Sequence, residues 1–209
     1  LVATWAPSSV QAALTEAEAI PEVRLKETCY RRVVEALAPT DPEAALQTAA
    51  RLTEPEERAL ALAAVAGALA AQQPETALGL ARMALALGTG LSAEESAEVQ
   101  GAVAVALTLL NLKESLELAA KIEEPKIAAT TLGRIAVLYG ERDPAAAAQI
   151  AVRIEEWEVR EATQTQLAPR LAGEDMPGAM AMLADVLSRR DKIAALLEII
   201  RLTAPPAAK

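Results

Sequence analysis

The sequence predicts an all-α fold, and three observations carry that prediction. Hydrophobic residues make up 53% of the chain, yet aromatics are only 2% and there is no Phe. Alanine dominates instead, and alanine is the best helix former, whereas strands draw on β-branched and aromatic residues. The segment "LTEPEERALAL" at 52–62 returns as "IEEPKIAATTL" at 122–132 and "IEEWEVREATQ" at 154–164. Each such segment joins a short amphipathic stretch to a longer one, with apolar residues three and four apart. The expected architecture is a right-handed α-α superhelix, a solenoid of about six helical hairpins with a period near 32 residues.

The apolar residues that open the junctions are Ile20, Leu52, Ala84, Ile122, Ile154 and Leu187, in steps of 32, 32, 38, 32 and 33. The surplus of the third step falls in "LGTGLSAEESAE". That segment carries Gly88 and Gly90, then Ser92 with Glu95, a capping-box spacing that starts a new helix. Short helices precede the junctions: "DPEAALQTAARL", "QPETALGLARMA", "NLKESLELAAKI", "DPAAAAQIAVRI" and "MPGAMAMLADVL". Pro42, Pro74, Pro144 and Pro177 fall in their first turns, where a missing N–H costs nothing. Asp41, Asn111 and Asp143 are expected N-caps. Longer helices follow the junctions, near 22–38, 54–71, 93–110, 124–139, 156–172 and 189–203. The turns between are acidic (Glu54, Glu56; Glu123, Glu124; Glu155, Glu156), which suits the positive end of a helix dipole. Pro55 and Pro125 sit in these turns, and Trp157 takes their place in a later copy as a staple of the turn. Its alternative reading is a binding hot spot, a role in which Trp is enriched, as for Trp5. Pro169 predicts a kink or an end of its helix near 168.

No hairpin of this size buries a core alone, so residues 13–203 read as one repeat domain whose copies share a continuous core. Residues 1–12 read either as the tail of an export signal, with Val10-Gln11-Ala12 as the small-x-Ala pattern, or as a partial helix. A periplasmic or secreted location is expected as readily as a cytoplasmic one. Residues 204–209 form a Pro/Ala-rich tail. No run reaches the roughly 18 apolar residues of a membrane span.

The net charge of −9 and a pI near 4.7 provide no basic footprint for phosphates, so a nucleic-acid partner is not expected. The chain has no His and one cysteine, Cys29. The commonest general base and metal ligand is therefore missing. Leu25, Cys29, Val33 and Leu37 recur every fourth residue, which places Cys29 on an apolar helix stripe. "GTG" at 88–90 lacks the lysine and spacing of a phosphate loop. No cofactor and no metal are expected, and the chain reads as a non-enzyme. The competing class is a hydrolase built on paired carboxylates.

"ALALAAVAGALAAQQPETALGLARMALAL" at 59–87 resembles a unit of the tetratricopeptide-repeat superfamily, with the long helix first and the short helix second. Ala77 and Ala84 fall where that family places small residues. The family's first-helix Trp, Leu-Gly and Tyr are not filled that way, and Ala81 replaces its second-helix aromatic. The chain is thus similar to a degenerate, alanine-rich tetratricopeptide-like or HEAT-like array. The resemblance implies protein–protein scaffolding, with peptides bound along a concave face.

Two rows of cations stand out. Arg51, Arg82, Lys121 and Arg153 close the short helices, where each complements a dipole, and Asp185 breaks the series. Arg24, Arg58, Lys126, Arg160 and Lys192 open the long helices. They read either as a solvated face with partners such as Glu54–Arg58 and Glu156–Arg160, or as a partner-binding row. Arg24, Arg58, Arg160 and Lys192 are the expected contacts for a protein or peptide partner. The alternative is a structural subunit of a larger assembly. Residues 100–112, "QGAVAVALTLLNL", are the longest apolar run in a helix, and a partner or self-association would cover their excess.

Overall fold

A computed structural model describes residues 7–203, with side chains from Val10 onward. Trp5, the first half of the export-signal segment and the 204–209 tail lie outside the described residues. Residues 7–12 belong to a helix.

Twelve helices and no strand make up the described residues. Six are long: Val23–Leu37 (α2), Pro55–Leu69 (α4), Ala93–Leu107 (α6), Pro125–Tyr139 (α8), Trp157–Leu171 (α10) and Arg189–Thr203 (α12). Each of the six has 15 residues. Between or before them lie Pro7–Glu18 (α1), Pro42–Ala49 (α3), Pro74–Gly88 (α5), Leu112–Ala119 (α7), Pro144–Val152 (α9) and Met176–Ala184 (α11). The long helices begin within two residues of the expected positions. The chain divides into two compact units, Leu1–Glu124 and Pro125–Lys209. In the first unit α2, α4 and α6 pack in succession, with α3 joining α2 to α4, α5 joining α4 to α6, α7 on α6 and α1 on α2. In the second, α8, α10 and α12 pack in succession, with α9 between α8 and α10 and α11 on α10.

Small side chains set this succession. In α4, α6 and α8 the fifth, ninth and twelfth residues are all small, and in α8 this face meets α10. In α4 these are Ala59, Ala63 and Ala66, all buried. In α6 they are Ala97, Gly101 and Ala104, and in α8 Ala129, Gly133 and Ala136, again all buried. A Cβ on Gly133 would stand 2.8 Å from Thr163 Oγ1 and 3.2 Å from Val159 Cγ1, so α10 leaves no room for one. The junction residues Leu52 and Ile154 are fully buried and wedge the turn against the core.

The first residues of the short helices behave as their chemistry dictates. Asp41, Asn111 and Asp143 accept the N–H of Ala44, Glu114 and Ala146 at 3.0, 3.3 and 2.8 Å. Asp175, not expected from the sequence, does the same for Gly178 at 2.9 Å. Ser92 and Glu95 form the expected capping box of α6.

Five expectations are corrected. Ala84 opens no junction, because α5 runs on to Gly88 through the apolar "MALALG". The surplus residues therefore lengthen a helix, which ends where Gly90 takes a φ of +97°. Leu187 is not the wedge of its turn: it is 77% exposed, and the neighbouring Val186 is buried in its place. Pro169 does not end α10 near 168, since the helix reaches Leu171. Leu167, Ala168 and Leu171 are buried around it, and their packing outweighs one lost backbone bond. The stripe through Cys29 is only half right: Val33 and Leu37 are buried, but Leu25 is exposed and Cys29 half-buried. Tyr30 and Val34 complete the buried face. The 100–112 run has no excess to cover, because α4, α5 and α7 pack around α6 and leave residues 100–110 buried or half-buried.

The Cβ clash at Gly133 gives a direct check on this packing. Gly133→Ala is expected to destabilise the second unit by about 1–3 kcal/mol through overpacking, despite alanine's better helix propensity. Urea unfolding that shows a gain in stability would contradict the close approach of α8 and α10.

Candidate interaction surface

Helix α2 holds α4 through buried charge. The Glu27 carboxylate is buried and accepts from the Thr53 N–H at 2.9 Å, the Thr53 hydroxyl at 2.8 Å and the Glu54 N–H at 3.4 Å. An anion thus sits at the N-terminus of α4, where the dipole favours it. The second unit repeats the device at the same position. Glu161, the fifth residue of α10, accepts the N–H groups of Leu187 and Ser188, each at 2.9 Å, just ahead of α12. Glu57, buried in α4, faces back and accepts from the Thr28 hydroxyl at 2.7 Å and the Arg31 guanidinium at 2.5 Å. Arg31 also pairs with Glu35. Sequence reasoning missed these carboxylates. The available signal was a Glu at the fifth place of two long helices, "VRLKE" and "WEVRE".

The structure separates the four expected contact residues into two kinds. Arg24 is exposed and stands 4.0 Å from Glu56. Arg58 is exposed, and no described carboxylate pairs with it. Arg160 instead turns back and donates to the Ile154 carbonyl at 2.8 Å and the Glu155 carbonyl at 3.4 Å. Lys192 donates to the Ala184 carbonyl at 3.2 Å, at the end of α11. These two cations occupy the same helical position and tie down the chain just before their own helix. The Glu54–Arg58 and Glu156–Arg160 pairs do not form among the described residues. In the other cation row, Arg51 pairs with Glu18 at 3.3 Å, while Arg82, Lys121 and Arg153 are exposed.

Trp157 does not staple its turn: it is 53% exposed. It lines a groove of about 390 Å³ in the second unit with Val152, Leu187, Arg160, Glu161, Gln164 and Asp185. Val152 is 71% exposed, so three large apolar side chains face solvent around one recess. The recess exists because Glu161 and Arg160 hold the two turns that border it. Their hydrogen bonds are spent on backbone, which leaves the apolar rim and Asp185 to meet a ligand. The sequence hid this site because apolar Val152 and Leu187 hold places that are exposed in other copies too, as at Ala50 and Ala120 and at Thr53 and Glu123, and nothing in the pattern marks them as unusual.

A second feature is acidic. Glu56 lies near Glu95, Glu98 and Glu57 along the N-terminal ends of α4 and α6. Partial burial raises its pKa above the ordinary 4.5, the neighbouring carboxylates raise it further, and Arg24 partly offsets them. Among the described residues no group of three or more His, Cys, Asp or Glu side chains converges as a metal site would require. No helix among the described residues is long and apolar enough to cross a membrane.

Compared with protein-family models, curated proteins and solved structures, the chain matches none.

The two carboxylate environments predict different responses. Removing the buried Glu27 carboxylate with Glu27→Ala takes the acceptor from the Thr53 and Glu54 N–H groups and the Thr53 hydroxyl, and should cost about 1–3 kcal/mol in chemical unfolding. An unchanged unfolding midpoint would show that the clamp adds nothing. Glu56 has its pKa raised by folding, so the native state loses stability as pH rises above 4.5 and through the folded value. Glu56→Gln should therefore melt higher than the parent at pH 7 and level with it below pH 4.5. A variant that melts lower at pH 7 would show Glu56 to be held by Arg24.

Proposed function

We propose that this protein is a non-catalytic interaction scaffold that binds a segment of another protein on an extended helical-repeat surface. Within each unit the hairpins stack in the manner of a tetratricopeptide-like or HEAT-like array, which suggests the local geometry of a right-handed α-α superhelix. The observation that carries the functional reading is the Trp157 groove. Exposed Val152, Trp157 and Leu187 surround a recess with Asp185 at its edge. A rigid aromatic in a shallow apolar recess is a typical anchor for a peptide side chain. Arg24 and Arg58 supply exposed positive charge in the first unit. In the second unit Arg160 and Lys192 are spent on backbone carbonyls that hold their turns. On a chain of net charge −9, a partner segment of mixed charge fits best. The partly buried charges present here serve backbone and neighbouring helices, which supports binding over carboxylate catalysis.

The test is a displayed peptide library selected against the protein, followed by titration of the enriched peptides. Trp157→Ala should weaken them about tenfold or more without changing helicity or melting temperature. Failure to enrich any peptide, or equal binding by Trp157→Ala, would overturn the groove as the binding site.

A further inference from the structure

We propose that the Trp157 groove receives an arginine side chain of the partner segment, with Asp185 and Gln164 accepting from its guanidinium and the Trp157 ring lying against it. The proposal rests on the peptide-binding reading above and names the side chain which that reading leaves open.

Gln164 is a buried amide without a partner. It is the eighth residue of α10, and it is 6% exposed. The eighth place of the other long helices carries Tyr30, Leu62, Gln100, Leu132 and Leu196. The Gln100 amide finds an acceptor in its own helix, donating to the Ser96 hydroxyl at 3.2 Å. The Gln164 amide forms no hydrogen bond among the described residues, and it lines the groove beside Trp157. No side-chain polar atom of a described residue is sealed away unbonded, so this amide opens on the recess. A leucine would serve the fold at this place, as Leu62 does, whereas a buried amide costs desolvation unless something bonds it. A polar group entering the groove would supply that bond.

Asp185 is a carboxylate set against its own helix. It follows α11 at the place where Arg51, Lys121 and Arg153 follow α3, α7 and α9. A cation there complements the negative end of the helix dipole, and an anion opposes it. Asp185 is exposed and forms no ion pair among the described residues. Lys192, the cation beside this helix end, donates to the Ala184 carbonyl at 3.2 Å instead. The other two charges of the groove are engaged with backbone: Arg160 with the Ile154 and Glu155 carbonyls, Glu161 with the Leu187 and Ser188 N–H groups. Asp185 is therefore the charge left for a ligand. A cation bound to it would also offset the misplaced anion, which is the kind of local conflict that functional sites retain.

Arginine suits this set of groups better than any other side chain. Exposed Val152, Trp157 and Leu187 give apolar walls for a long aliphatic stem. The guanidinium is planar, stacks on an aromatic ring, and has donors enough to serve a carboxylate and an amide carbonyl together. The ammonium of lysine is a compact, strongly hydrated charge and gives up more water to enter an apolar rim. An acidic side chain would meet Asp185 and Glu161. A purely apolar one would leave the Gln164 amide without a partner.

The test uses peptides enriched from a displayed library by the full chain and weakened by Trp157→Ala. These peptides should share an arginine. Citrulline at that place keeps the shape and loses the charge, and should weaken binding about tenfold or more, with lysine between the two. Asp185→Asn and Gln164→Leu should each weaken the arginine peptide and narrow its lead over the citrulline form, whereas damage to the fold would weaken both peptides alike. Asp185→Asn should melt no lower than the parent, because it takes an anion from a helix C-terminus. Asp185→Arg should prefer the same peptide with glutamate in place of the arginine. Peptides that depend on Trp157 but share no arginine, or that bind as well with citrulline, would overturn this proposal and leave the scaffold reading standing. An arginine preference undiminished in both Asp185→Asn and Gln164→Leu would overturn it as well, by placing the arginine elsewhere. A library that yields no peptide overturns both readings. Circular dichroism of each variant separates these outcomes from unfolding, and exposed Asp185 can be changed without disturbing the core.

Discussion

The close approach of consecutive long helices is the constraint on which the rest depends. Ala59, Ala63 and Ala66 of α4 form a face with almost no side-chain volume, as do Ala129, Gly133 and Ala136 of α8, while α2 and α10 carry Glu27 and Glu161 at the first of these places. With helices this near, the core is built from many short contacts. Larger residues such as Leu52, Ile135, Ile154 and Leu167 are reserved for the ends and the rear of each helix. The low aromatic content follows from the same requirement: a ring on this face would force the helices apart.

Where bulk cannot specify the packing, polar contacts do. A face of alanines tolerates sliding and rotation, because methyl groups interlock poorly. Glu27 and Glu161 remove that freedom by gripping the start of the next long helix through its unpaired N–H groups. The gripped helix then has one angular setting. Arg160 and Lys192 close the same turns from the other side through carbonyl groups. Residues that read as a charged surface thus serve to fix register, and little of their charge is left to address a partner.

Much of the local architecture was legible in the sequence because it is written in strong signals. Pro at the first turn, Asx before it and an acidic turn after an apolar wedge each have one physical meaning, and all recur. The errors arose where one pattern serves two structures. The segment "RMALALG" continues a helical stripe as readily as it could close one, and without an acidic turn nothing stopped it before Gly88. Val186 and Leu187 are both apolar, and only the neighbouring Glu161 decides which of them turns inward. The groove around Trp157 was illegible for a related reason. Exposure depends on what lies opposite, and periodicity records only the residue's own helix. The clamp residues were missed because a Glu in a helix looks solvated until its partners, 26 residues onward, are placed beside it.

The equal length of the six long helices has a consequence for the history of such a chain. Helices α8, α10 and α12 start at 125, 157 and 189, so neighbouring copies are offset by the same number of residues. A block cut from the start of one long helix to the start of the next carries a complete joint at each end. Unequal recombination between two such blocks preserves the reading frame, the helical phase and the turn. Copies can therefore be gained or lost whole, with no new interface to be invented. The lengthened α5 marks the place where that interchangeability was given up, since a copy carrying the extra residues no longer matches its neighbours in phase.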